Sequence, residues 1–207
     1  TQGPLNICIT VFGEVPVGQA LLRSGAQAGD DLYVSGTVGD ARLALDALLG
    51  HISVPATLLA RARQRLEQPS PRVALGLALR GVASAAIDLS DGLLGDLGHI
   101  LERSGVGATL DTERVLQTVA ARRDPDAPAF SDEQWRQLAL SGGDDYELLF
   151  CAPPSRSDAV AAAAQRSQTP VQRIGRIDAE TGVRLIDGAG RSLPQRYASF
   201  DHFATPA

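Results

Sequence analysis

Two short stretches of this sequence carry side chains that could do chemistry on phosphate groups. The first places Asp88, Ser90 and Asp91 within four positions. The apolar run of residues 82–87 predicts a buried strand ahead of it, and residues 93–104 show the apolar spacing of a helix. Helix N-termini offer N–H groups to anions, and paired carboxylates suit Mg²⁺. The stretch therefore indicates a metal-phosphate site, although capping of the helix by Ser90 or Asp91 is a simpler alternative.

The second stretch follows a predicted helix that begins with Ser131 and Gln134 in capping-box spacing. Two glycines, Gly142 and Gly143, are followed by Asp144, Asp145, Tyr146 and Glu147, and residues 148–152 then predict a strand. Two interpretations stay open at this point. The acids belong to the same site as the first stretch, or a glycine ends the helix and solvated acids follow it.

Composition excludes several other classes of protein. The net charge of −5 argues against a general surface for nucleic acid or anionic membranes. No apolar run approaches the ~20 residues of a membrane span, and Cys8 and Cys151 are too few for a zinc site or a disulfide framework. All 19 residues counted as Lys or Arg are Arg, so a P-loop lysine is unavailable. We therefore expect a cytoplasmic protein that binds neither nucleic acid nor membrane.

The rest of the chain alternates strand patterns with helix patterns. Further strands are predicted at residues 32–35, 108–110, 171–177 and 183–186. Further helices are predicted at residues 41–49, 54–66, 73–80 and 159–165, with Asp40 as the N-cap of the first. We therefore expect an α/β fold, a mixed sheet flanked by helices.

The beginning of the chain has a strand pattern that is not adjacent to any other predicted strand. Residues 6–15 alternate apolar and polar side chains and predict a strand, but no hairpin partner is adjacent in sequence. The sequence has no Met and begins Thr1-Gln2-Gly3-Pro4. We expect the chain to be the later part of a longer protein.

Together these stretches resemble the thiamine-monophosphate kinase family, in the superfamily that includes aminoimidazole ribonucleotide synthetase. The matching segments occur in the family's order along nearly the whole chain: residues 21–26, 36–41, 69–72, 87–93, 140–148 and 200–203. The resemblance implies the C-terminal domain of a two-domain, synthetase-like kinase. Residues 1–14 would contain the last strand of a missing N-terminal domain, and residues 15–207 would form the C-terminal α/β domain.

The same resemblance implies the activity. It is the ATP- and Mg²⁺-dependent phosphorylation of thiamine monophosphate to thiamine diphosphate, by direct in-line transfer and without a catalytic side-chain nucleophile. The missing domain would carry most of the Mg²⁺ carboxylates and would form a homodimer with its twin. We expect the present chain alone to lack turnover.

The resemblance also assigns the nucleotide and metal residues. Arg23 and Ser90 would contact ATP, and Asp88 and Asp91 would hold Mg²⁺. These are the same carboxylates and hydroxyl that the first stretch offers on chemical grounds.

For the second substrate, Asp144 would face the thiamine phosphate and Phe200 would pack against its rings. The family usually has Glu at the position of Asp144 and Tyr at that of Phe200. Two alternatives stay open. One is another ATP-dependent member of the superfamily, and the other is a non-catalytic binding module whose carboxylates are caps and solvated acids.

Overall fold

The chain alternates short strands with amphipathic helices, as its hydrophobic spacing predicts. The computed structural model of the protein describes residues 3–4, 6–194 and 196–197. The strands among them are β1 (Asp31–Ser35), β2 (Ala85–Asp88), β3 (Gly107–Asp111), β4 (Leu148–Ala152), β5 (Val171–Asp178), β6 (Gly182–Ile186) and β7 (Ser192–Leu193). The α-helices among them are α1 (Asp40–Leu48), α2 (Ala56–Glu67), α3 (Val73–Ala78), α4 (Leu93–Ser104), α5 (Thr112–Leu116), α6 (Asp132–Ser141) and α7 (Ser157–Arg166).

The described strands form one mixed sheet in the order β2-β4-β1-β5-β3-β6-β7. Each neighbouring pair is antiparallel except β3 and β6, which are parallel. In the β2–β4 pair, Asp88 at the end of β2 lies opposite Leu148 at the start of β4. This register places the two acidic stretches side by side, because one follows β2 and the other precedes β4.

Successive strand residues point to opposite faces of the sheet, and apolar side chains lie on both faces. Helices therefore cover both faces. Leu32 and Val34 of β1 belong to the larger core, to which α1, α2, α4, α5 and α6 contribute. Tyr33 belongs to the smaller core under α3 and α7, where its ring stacks on Phe150 at a centroid distance of 5.3 Å. The predicted α/β fold with a mixed sheet and flanking helices is confirmed. None of the described helices combines the length and apolar character that a membrane crossing requires.

Most of the predicted helices and strands are confirmed, but the strand predicted at the start of the chain is not. Ser131 and Gln134 form a capping box at the start of α6, and Gly105 ends α4 in the left-handed conformation. The strand predicted for residues 6–15 is absent from the described residues 6–15, which are exposed and outside the sheet. A strand needs a neighbour for its backbone groups, and the described sheet does not supply one. The assignment of residues 1–14 to a preceding domain stays a prediction.

A substitution at Gly175 tests how tightly the interior of the sheet is packed. It lies in β5 between β1 and β3, and a Cβ there would stand 2.3 Å from the carbonyl oxygen of Thr109. We expect Gly175→Ala to lower the free energy of unfolding by about 1–3 kcal/mol, because a backbone neighbour cannot move aside without disturbing the ladder. Gly98→Ala in α4 is the matched control, since its Cβ would meet no neighbouring element within 4 Å. It should raise stability by up to ~1 kcal/mol. Urea denaturation measures both variants, and an equal loss in the two would contradict this account of the sheet.

Candidate active site

The two acidic stretches form neighbouring loops that are hydrogen-bonded to each other. We name them the β2–α4 loop, residues 89–92, and the α6–β4 loop, residues 142–147. Three backbone hydrogen bonds join the two loops. The N–H of Asp144 donates to the C=O of Ser90 at 2.9 Å, and the N–H of Tyr146 donates to the C=O of Leu89 at 2.8 Å. In the opposite direction, the N–H of Leu89 donates to the C=O of Glu147 at 2.9 Å. These bonds continue the β2–β4 pairing beyond the ends of the strands. The loops therefore share one backbone framework.

Close approach of the two loops explains their glycines. A Cβ on Gly143 would lie 2.4 Å from the carbonyl oxygen of Ser90. Gly92 has a φ of 117°, and a Cβ there would lie 2.9 Å from the carbonyl oxygen of Ser141. A side chain at either position would force the loops apart.

The α6–β4 loop also holds two non-glycine residues at positive φ. Asp144 has a φ of 66° and Tyr146 a φ of 49°. Such conformations are unfavourable for side-chain-bearing residues and persist where surrounding contacts fix them. Here the backbone hydrogen bonds to the β2–α4 loop supply the constraint. The Tyr146 ring is 44% exposed despite this ordered backbone.

Asp96, in the first turn of α4, supports the β2–α4 loop from inside the protein. Its Oδ2 accepts the N–H of Ser90 at 2.9 Å and that of Asp91 at 3.1 Å. Burial raises the pKa of the Asp96 carboxyl, and these N–H groups lower it in part. The N-cap position of α4 is occupied by Gly92, which has no side chain to cap the helix. The prediction that Ser90 or Asp91 is the N-cap residue is therefore wrong. Instead, a carboxylate within the helix reaches back to their amides.

Two further carboxylates lie beneath the loops. Both oxygens of the buried Asp145 accept the N–H of Gly39, at 3.0 and 2.9 Å. Burial raises the pKa of Asp145 well above its usual range, and the nearby Asp40 raises it further, while the Gly39 N–H lowers it. Asp40 is the first residue of α1 and not its N-cap, so that prediction is wrong. Its carboxylate accepts the N–H groups of Ala120 at 3.2 Å and Ala121 at 2.8 Å.

Glu147 is fully buried and accepts four side-chain hydrogen bonds. Arg72 donates its Nε to Oε2 and its Nη2 to Oε1, both at 2.6 Å. Arg65 donates Nη2 to Oε1 at 2.7 Å, and the Ser35 hydroxyl donates to Oε2 at 2.6 Å. The Ser35 oxygen in turn accepts the Leu148 N–H at 2.8 Å. With Asp145, this buried carboxylate shows that the interpretation of the stretch as solvated acids is wrong.

Tyr146 lines two cavities at this site. The smaller cavity, about 200 Å³, is lined by Arg42, Leu45, Ser90, Asp91, Gly143, Asp144 and Tyr146. The larger cavity, about 510 Å³, is lined by three charged residues, Arg23, Arg72 and Asp88, together with Tyr146 and apolar groups. Burial raises the pKa of the Tyr146 hydroxyl, as do Asp144, Asp91 and Asp88.

The structure thus gathers five of the six predicted site residues around Tyr146, in two sets. Ser90, Asp91 and Asp144 line the smaller cavity. Arg23 and Asp88 line the larger one, so each predicted ATP or Mg²⁺ pair is divided between the cavities. Phe200 lies outside the described residues.

The number and exposure of the carboxylates decide which kind of metal site they can form. Within residues 3–4, 6–194 and 196–197, no three His, Cys, Asp or Glu side chains lie close enough together to hold a metal ion among themselves. Asp88 is exposed at the end of β2 and Asp91 is partly exposed. Mg²⁺ is commonly held by one or two carboxylates, with substrate phosphates and water completing its shell. By their number and exposure, Asp88 and Asp91 suit that mode of binding, although they line different cavities. Among the described residues they do not form an all-protein metal cage.

Sequence reasoning missed the residues that support the site. Asp96 could have been found, because it is a carboxylate beside the apolar face of a predicted helix. The partners of Glu147 gave no local signal, since Arg72 is 75 positions away and Arg65 is 82 positions away.

The sheet, its flanking helices and the interlocked loops define an α/β domain with a mixed sheet and a group of carboxylates at the end of β2. The family described as AIR synthase related protein, C-terminal domain, matches residues 27–188. The chain belongs to this family.

Curated relatives and solved structures show which proteins the chain is similar to. The thiamine-monophosphate kinase of Salmonella typhimurium is 41% identical over 208 residues, covering 100% of this chain and 62% of that protein. The crystal structure of thiamine-monophosphate kinase from Stenotrophomonas maltophilia K279a has a TM-score of 0.73 and 42% identity, covering 83% of this chain and 54% of that one. A structure of AaThiL complexed with AMPPCP and TMP has a TM-score of 0.64 and 28% identity, covering 88% and 54%. The chain therefore spans about three fifths of the length of the curated relative.

The raised pKa of Asp145 predicts a pH dependence of stability. Because its pKa is higher in the folded state, Asp145 contributes stability that is fully present below the unfolded pKa of about 4 and is lost as the pH rises through the folded pKa. Asp145→Asn keeps an acceptor for Gly39 but cannot ionise. We expect its free energy of unfolding to fall less between about pH 4 and pH 8 than that of the parent.

Urea denaturation across this pH range measures the difference. Asp158→Asn, an exposed substitution on α7, is the control and should follow the parent curve. Identical slopes for Asp145→Asn and the parent would contradict a buried ionisable carboxyl at this position.

Proposed function

We propose that this chain is the C-terminal domain of a kinase that transfers the γ-phosphate of ATP to thiamine monophosphate, forming thiamine diphosphate in thiamine biosynthesis. The observation that carries the proposal is the end of β2 together with the two interlocked loops, which present Asp88, Ser90, Asp91 and Asp144 at two cavities sharing Tyr146. Similarity over the whole chain to a thiamine-monophosphate kinase supports it. So does the similar structure that holds AMPPCP and TMP.

In this proposal the larger cavity takes the nucleotide and the smaller one the acceptor. The larger cavity combines apolar walls with the guanidinium of Arg23, and its volume of about 510 Å³ suits a nucleotide-sized ligand. The smaller cavity carries Asp144, whose carboxylate complements the positively charged thiazolium ring of thiamine. Phe200 remains the predicted ring contact. Tyr146 lies between the two ligands because it lines both cavities.

Asp88 and Asp91 would hold Mg²⁺ together with phosphate oxygens. When bound, the ion supplies positive charge that stabilises the transferring phosphoryl group. Ser90 lies between the two carboxylates in the sequence and its backbone is fixed by Asp96, so its hydroxyl is presented to a phosphate at little further ordering cost.

The reaction needs no protein nucleophile. An oxygen of the acceptor phosphate, already ionised near neutral pH, attacks the γ-phosphorus in line while the bond to the β-phosphate oxygen breaks and ADP departs. The protein therefore acts by positioning the two ligands and by neutralising charge. The remainder of the intact protein would supply further Mg²⁺ carboxylates and the homodimer contact, so this chain alone should lack turnover.

Asp91→Asn in the intact protein tests the proposal. We expect turnover of ATP with thiamine monophosphate to fall by roughly 10²-fold or more, because the neutral amide holds Mg²⁺ less well than a carboxylate and the ion supplies the positive charge that offsets the phosphates. The fold should persist, since the Asp91 amide still donates to Asp96. A coupled assay of ADP release, with product thiamine diphosphate measured by chromatography, gives the rate.

Asp158→Asn is the matched control, because it removes the same charge from an exposed position on α7. It should retain the parent rate. Full turnover by Asp91→Asn at limiting Mg²⁺ would refute the metal role, and ATP binding without any phosphorylation of thiamine monophosphate by the parent would favour another acceptor.

A further inference from the structure

The larger cavity has two arginines on its walls, and the function proposed above assigns a role to only one of them. Arg23 and Arg72 both line it, together with a single carboxylate among its lining residues, Asp88. Two guanidinium groups facing one carboxylate make the cavity attractive to an anion. Arg72 is 18% exposed at its side chain, so most of its length is held inside the protein.

The guanidinium of Arg72 is fixed by its pairing with Glu147. Its Nε and Nη2 donate to the two carboxylate oxygens, both at 2.6 Å, which is the bidentate geometry of a strong ion pair. This pairing does not use Nη1, whose two N–H groups are suited to a phosphate oxygen. The side chain is therefore ordered before any ligand binds.

Glu147 does not neutralise the arginines that it holds. Arg65 also donates to Oε1, at 2.7 Å, so one negative charge is shared by two guanidinium groups. The three side chains together carry one net positive charge. Arg72 lines the larger cavity, whereas Arg65 lines a different one with Asp40 and Asp124.

The surroundings of Glu147 leave little room for another arrangement. A Cβ on Gly36 would lie 2.0 Å from its Oε1, and the Ser35 hydroxyl, which donates to its Oε2, also accepts the N–H of Leu148. The end of β1, the start of β4 and the segment before α3 therefore meet at this carboxylate. Its position sets the position of Arg72.

We propose that Arg72 binds a phosphate group of the nucleoside triphosphate in the larger cavity, beside Arg23, and that Glu147 is the residue that positions it. The proposal rests on the kinase function above and adds a specific anion ligand to it. Lysine could supply the charge but not the planar fork that pairs with a carboxylate on one edge and a phosphate on the other.

The test compares Arg72→Lys with Arg65→Lys in the intact protein. AMPPCP affinity is measured by calorimetry, and KM values for ATP and thiamine monophosphate by the coupled assay. We expect Arg72→Lys to weaken AMPPCP binding and raise the KM for ATP by about tenfold or more, with the KM for thiamine monophosphate changed less than about twofold. Arg65→Lys weakens the same buried ion pair without removing a guanidinium from the larger cavity. It should lower the melting temperature similarly but reduce nucleotide affinity several-fold less than Arg72→Lys does.

The variant Glu147→Gln provides a second test of the proposal. It should raise the KM for ATP with Arg72 still present, because the amide cannot hold the guanidinium in the same bidentate pair. Should this variant fail to fold, the two arginine variants decide.

Unchanged AMPPCP affinity in Arg72→Lys would overturn the proposal. Equal losses of affinity in Arg72→Lys and Arg65→Lys would also overturn it, since they would report a general weakening of the fold. A parent protein that binds AMPPCP but does not phosphorylate thiamine monophosphate would refute the proposed function and leave the Arg72 comparison decisive for nucleotide binding.

Discussion

The site depends on one buried carboxylate. Removing Glu147 from water is unfavourable unless its charge is paired and its oxygens are hydrogen-bonded. Four donors from three separate parts of the chain meet this requirement: Ser35 at the end of β1, Arg65 in α2 and Arg72 before α3. The elements must pack so that these donors converge. The carboxylate therefore specifies how the elements near the site come together, even where its net contribution to stability is small.

Starting at Glu147, backbone hydrogen bonds fix the positions of the residues at the candidate site. The carbonyl of Glu147 accepts the N–H of Leu89, and two further hydrogen bonds join the α6–β4 loop to the β2–α4 loop. From within α4, the Asp96 carboxylate then accepts the backbone N–H groups of both Ser90 and Asp91. Tyr146 keeps its positive φ because this frame surrounds it. Tyr146 therefore lies in a fixed backbone frame and lines two cavities whose charged residues differ.

The sequence predicted the elements well and their long-range contacts poorly. Apolar alternation located the strands of the sheet, and glycine with clustered acids located both loops, because these are local signals. Local reasoning also produced the errors. Asp40 has the chemistry of an N-cap and Asp145 that of a solvated acid, yet both are buried by elements far away in sequence. The link between Glu147 and Arg72 spans 75 positions and leaves no trace in the spacing of either neighbourhood.

The central claim is that the Glu147 charge holds the two loops together as one unit, and native-state amide hydrogen exchange tests it directly. The amides of Leu89, Asp144 and Tyr146 donate between the loops, so they should exchange slowly and with one common opening free energy. In Glu147→Gln all three should exchange faster together, while the amides of Leu97 and Ile100 in α4 keep the parent rates. Unchanged or independent exchange of the three loop amides would contradict the account.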